Sequence, residues 1–133
     1  MKLEGETLVF TQDFRFPDEE IADTVRVTAD PDTLAPAATA RVIKGPEGDR
    51  NCEATYRGST VTVAQSSSDD ERTDELDVPV KVYDTWSDLF LWRTLAFAED
   101  YEVKYLDALT CSLGKPEVLS VVLKVKGREK VTV

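Results

Sequence analysis

The chain has 133 residues, 26 acidic against 16 basic, a formal charge of −10 and no histidine. A phosphate backbone needs a basic stripe to displace its counterions, so nucleic acid is excluded as the expected partner. Without histidine there is no Ser-His-Asp or Cys-His site, and zinc loses its commonest ligand.

A chain of this size buries on the order of two thirds of its unfolded surface, enough for one core. No repeat or linker divides the sequence, so a single β-rich domain over 1–133 is expected. No run of about 18 apolar residues is long enough to span a bilayer, and the start MKLEGETLVF lacks the apolar stretch of a secretory signal. The chain is therefore expected to be soluble and not transmembrane.

The first strand signal in chain order is Val25 and Val27 alternating with Arg26 and Thr28, broken by Asp30-Pro31-Asp32 and then Pro36. ARVIK, CEATY and TVTVA follow, separated by Gly45-Pro46-Glu47-Gly48-Asp49 and by the short Arg57-Gly58-Ser59. That spacing predicts a meander whose last turn is a tight hairpin. Ser66 to Glu75, SSSDDERTDE, is polar and acidic and reads as a flexible hairpin tip. It lacks the ligand spacing of an EF-hand loop, so no metal is assigned to it. Val78, Val80 and Val82 alternate with Pro79 and Lys81 and predict a further strand.

One helix is predicted from Thr85, with Asp88 at its third position in a capping-box-like arrangement. Trp86, Leu89, Phe90, Arg93 and Phe97 would share a face, and Leu91, Trp92, Leu95 and Ala96 widen the apolar surface until the helix wants burial on most sides. The natural place is the hollow of a curved antiparallel sheet. Arg93 inside this block must be paired or reach water. Asp84, Asp88 and Asp107 are its candidate partners, and a cavity mouth is the alternative setting.

Strand text runs from Val103 to Leu109, turns at Gly114-Lys115-Pro116 and resumes over Glu117 to Lys126. There Leu119, Val121, Leu123 and Val125 occupy one face and Val118 and Val122 the other. Apolar residues on both faces predict a central strand. Lys124, Lys126, Arg128 and Lys130 alternate beyond its middle as a solvated strand face. Cys52 and Cys111, with no CxxC spacing, are either two small buried residues or a disulfide, the latter if the protein is exported. The fold class is thus mainly β (or α+β): a curved antiparallel sheet or incomplete β-barrel with one short helix packed in or against it.

Three phrases in order resemble the domain-of-unknown-function 3108 family of β-rich, mostly exported bacterial proteins. They are DPDTLAPAATARV at Asp30 to Val42, WSDLFLWRTL at Trp86 to Leu95, and VLKVKGREKVTV at Val122 to Val133. The resemblance covers about three quarters of the chain, from roughly Asp23 onward. It departs at Glu99-Asp100, where the family has a glycine turn, and at Val133, where the family pattern runs on into another strand. A missing last strand would leave an open edge, and a homodimer through the C-terminal strand is expected from it.

The resemblance implies an extracytoplasmic protein of the periplasm or cell envelope, its signal sequence removed, and supplies no catalytic residues. The expected function is non-catalytic binding of a lipid-like or other apolar ligand by Trp86, Phe90, Trp92 and Arg93, without a cofactor. The alternative is a structural or protein-interaction module of the envelope, acting through a sheet edge or the acidic surface; a filled core would favour it. An enzyme would have to use paired carboxylates. Asp13, Asp18, Glu19, Glu20, Asp30 and Asp32 are the raw material, but they fall at turns and strand ends, and no enzyme is expected.

Overall fold

The computed structural model describes residues 1–132. Seven strands form one antiparallel sheet in sequence order: β1 (Lys2–Glu4), β2 (Thr7–Phe16), β3 (Ile21–Ala29), β4 (Pro36–Lys44), β5 (Arg50–Arg57), β6 (Thr60–Ser66) and β7 (Glu71–Asp77). The sheet is open, with β1 and β7 as its edges, and does not close into a barrel. The predicted meander is β4, β5 and β6. Its tight turn is the two-residue loop Gly58-Ser59 between the paired Arg57 and Thr60, with Gly58 at φ +60°, a conformation glycine adopts without steric cost.

Two strands precede the first sequence signal. In β2, Leu8, Phe10, Gln12, Phe14 and Phe16 do alternate, but polar Gln12 and the apolar pair Val9-Phe10 blur the period.

The acidic stretch is not a flexible tip. The turn is only 67–70, and Glu71–Asp77 form β7, in register with β6 from Ser66↔Glu71 to Thr60↔Asp77. Backbone pairing overrides a composition that disfavours strand, and the charges suit an edge, where they discourage further pairing.

The predicted strand through Val80 is also absent. Residues 78–82 are an irregular crossover in which Val78 and Val82 are buried and Val80 is 96% exposed. Pro79 lacks the N–H that a ladder requires there. The crossover carries the chain to a second sheet of β8 (Tyr83–Asp84), β9 (Glu102–Leu109) and β10 (Glu117–Lys124), ordered β10-β9-β8, with β8 parallel to β9. β10 is thus an edge strand and not a central one, and none of its residues is fully buried. It ends at Lys124, so the alternation of Lys126, Arg128 and Lys130 lies outside any strand.

The helical block is shorter than predicted. A 3₁₀ turn over Thr85–Ser87 leads into α1, Asp88–Arg93, which excludes Leu95, Ala96 and Phe97. Its opening cap is Asp84, whose carboxylate accepts from the Trp86 backbone N–H at 3.0 Å, while Thr85 donates its hydroxyl to the Ala108 carbonyl. Only Leu91 of α1 is fully buried, and Leu89 is 53% exposed.

Two apolar clusters fill the space above one face of the large sheet. Phe10, Val25, Val27 and Ala29 meet Trp86 and Phe90. Cys52, Ala54, Val61 and Val63 meet Val78, Val82, Ala108 and Cys111. The second cluster draws on both sheets, and its two cysteines are bonded, with Cα atoms 5.5 Å apart. The disulfide therefore ties β5 to the segment after β9.

Candidate functional site

Between the two apolar clusters runs β4, which turns Thr39 and Arg41 to the core in register with Val27 and Val25 on one side and Ala54 and Cys52 on the other. A polar stripe at the centre of a sheet needs partners, and it has them. The Arg41 guanidinium donates Nε and Nη2 to the two carboxylate oxygens of Asp23 at 3.0 and 2.7 Å, and Nη1 to the Cys111 carbonyl at 2.8 Å. It also lies 4.6 Å from the centre of the Trp86 ring. Planar, bidentate and stacked, this is a geometry lysine does not reproduce.

Asp84, 0% exposed, is the hub of the stripe. Its Oδ2 accepts from Thr39 and Thr110 hydroxyls, each at 2.8 Å, and from the Tyr56 hydroxyl, while Oδ1 accepts from the Trp86 N–H. Burial pushes its carboxyl above the usual range, and the donors from Tyr56, Thr110, Trp86 and Thr39 oppose that. Tyr56 is raised in turn, by burial first and then by the Asp84 charge.

A second acidic pair lies beside it. Asp107 on β9 is 1% exposed and lies beside the carboxyl of Asp88 at the start of α1. Both Oδ1 atoms are buried and have no donor among the described residues. Two neighbouring carboxyls with so few donors disfavour each other's charge. Burial, then the charge of Asp88, raises Asp107 to about 8, and burial raises Asp88 as well. Tyr105 stands beside them, accepting the Trp92 indole N–H at 2.8 Å, and burial raises its hydroxyl to about 12.

The four residues expected to bind a ligand do not act as a set. Trp86 is packed against the first cluster and donates its indole N–H to the Thr110 carbonyl at 3.0 Å. Phe90 stacks on Phe10 with ring centres 4.6 Å apart. Trp92 is committed to Tyr105. Arg93 is exposed and lies 5.7 Å from the Phe90 ring centre, and among the described residues none of Asp84, Asp88 or Asp107 forms an ion pair with it. The largely buried guanidinium is that of Arg41, 13% exposed. Its signal was the lone arginine in the predicted strand ARVIK, at a position in phase with Thr39.

Of the other candidate carboxylates, Asp30 and Asp13 are tied into the backbone and the sheet. Asp30 Oδ1 accepts from the Asp32 and Thr33 N–H groups and the Thr33 hydroxyl, closing its own turn. Asp13 accepts from the Thr24 hydroxyl across β2 and β3.

Among the grooves that reach solvent, two bear on the expected binding residues. One, about 200 Å³ at the disulfide end, is lined by Arg41, Arg50, Arg72, Gln65, Cys52 and Leu113 among others. Two of its guanidiniums are occupied, Arg41 by Asp23 and Arg72 by Asp74 at 2.8 Å and the Gly114 carbonyl at 2.7 Å. The other, about 330 Å³, lies between Tyr83, Leu91, Leu95 and the β9 run 103–106, with Lys81 and Lys104 also lining it.

The model of the family described as "Protein of unknown function (DUF3108)" matches residues 1–133, the whole chain, and so extends beyond the three phrases that carry the resemblance. No curated protein and no solved structure matches the chain.

Proposed function

We propose that this chain, which belongs to the DUF3108 family over its whole length, is a non-catalytic interaction module of the cell envelope that engages extended partners through its open sheet edges. The observation that carries the reading is the filled interior. Trp86 and Phe90 pack on Phe10, Val25, Val27 and Ala29, and none of the four residues expected to hold an apolar ligand lines either groove. The buried acids support the non-catalytic part, because a carboxyl acts on a substrate only within hydrogen-bond reach, and Asp84 and Asp107 are 0% and 1% exposed. The bonded Cys52 and Cys111 support an oxidising compartment, where such bonds persist.

Recognition then falls to the sheet edges, among them β1, β7 and β10, where backbone is unpaired. Self-association through β10 is one form of the same reading. A lipid-like ligand is the second reading, resting on the apolar walls of the 330 Å³ groove.

The test is photo-crosslinking in intact cells of the source, with a benzophenone amino acid placed at Thr73 on β7, at Ser120 on β10, and at Leu3 on β1. Control positions are Glu53 and Ala64, exposed but paired to a neighbouring strand on both sides. Adducts to envelope proteins from edge positions alone are the expected result, and an adduct of twice the chain's mass from Ser120 identifies a second copy. Equal labelling from the controls, or adducts to cytoplasmic proteins only, would refute the reading.

A further inference from the structure

The groove beside β9 is also a sheet edge. β8 pairs only with Asp107 and Ala108, so on that side the β9 residues 102–106 face no strand. The chain's own crossover is what fails to arrive. Continued straight, residues 79–82 would lie along this edge, but Pro79 and the bend at Val80 and Lys81 carry them away. Every second residue of 102–106 turns its N–H and C=O into the space so left, and no backbone partner for them exists there among the described residues. The floor is apolar, from Tyr83, Leu91 and Leu95, and Lys81 and Lys104 stand at the sides, both exposed.

We infer that this gap takes an extended peptide strand, added to β9, with an apolar side chain seated against Leu91 and Leu95 and acidic residues beside Lys81 and Lys104. The inference rests on the edge-acting reading above and names the edge. The unpaired backbone decides between occupants. A hydrocarbon chain would strip water from the edge groups and return no hydrogen bond, whereas a strand replaces each one. Five residues of edge span roughly 16 Å, room for a strand of ordinary length. Two lysines in a chain of charge −10 select acidic flanks, and they exclude the chain's own basic segment with Lys126, Arg128 and Lys130 as the natural occupant.

The probe is a phage-displayed library of random heptapeptides, selected on the full oxidised chain, with K81E/K104E and Leu95→Asp chains as counter-targets. The expected winners alternate apolar and acidic residues and bind K81E/K104E at least tenfold more weakly. They lose binding when one set of alternate amides is N-methylated, and they slow hydrogen exchange within 102–106. No enrichment, equal binding to both variant chains, insensitivity to N-methylation of either set, or oleate slowing exchange at these amides where no peptide does, each overturns the inference. Should crosslinks form from Thr73 or Ser120 while the library gives nothing at β9, the edge-acting reading stands and this assignment of the edge does not.

Discussion

Among single residues Asp107 couples most directly to pH. Its carboxyl is raised to about 8 in the folded chain, against about 4 unfolded, so between those values the native state holds a proton that the unfolded state releases. The stability it contributes is fully present below pH 4, declines as pH rises, and is lost above 8. Asp84 and Asp88 are raised too and add to the same slope. Asp30 and Glu102, held low by hydrogen bonds from Thr33 and from Lys124, act oppositely and only in the acid range, as they are protonated. Urea denaturation is expected to show a loss of roughly 2 kcal/mol between pH 5 and 8.5, less than the full linkage value because water reaches a loosened pair first. In Asp107→Asn, which has no such proton to lose, that difference should shrink by at least half. An unchanged slope would place the titrating group elsewhere.

At the level of elements, the sequence was most legible where local chemistry and pairing agree. Val25, Val27, Val61 and Val63 alternate and face the core, and Gly58 marks a turn that has no other reading. It misled where pairing partners decide. ERTDELD is a strand only because β6 lies beside it, and VPVKV is not one because Pro79 and the bend at Val80 and Lys81 take it away from β9. The candidate site was half legible. Asp84, Asp88 and Asp107 were named only as partners for Arg93, with which none of them forms an ion pair among the described residues, and the guanidinium beside that stripe is on β4. A single arginine in a strand shows neither its face nor its depth until register is known. The contrast between β4 and α1 is measurable. Arg41→Met leaves Asp23, whose side chain is 11% exposed, without its counter-charge and is expected to cost about 3 kcal/mol by urea denaturation. Arg93→Ala should stay within about 0.5 kcal/mol.

For the whole molecule, the disulfide and β4 are what hold two sheets as one body. Cys52 and Cys111 are 59 positions apart, and a loop of that length removes about 4 kcal/mol of unfolded-state entropy in the chain-entropy account. Calorimetry with and without a phosphine reductant is expected to show a fall in Tm on the order of 10 °C; a fall under about 2 °C would mean that the two sheets hold each other without it. The order of the large sheet has a further consequence for synthesis. Every strand from β1 to β7 pairs with its neighbour in sequence, so the sheet can assemble as it leaves the ribosome. Its covering layer, from Val78 to Thr110, emerges afterwards. During that interval Phe10, Val25, Val27, Val61 and Val63 form a bare apolar face between two open edges. The nascent chain is most exposed to association with its own kind then, and the arrival of Asp84 and Cys111 closes the interval.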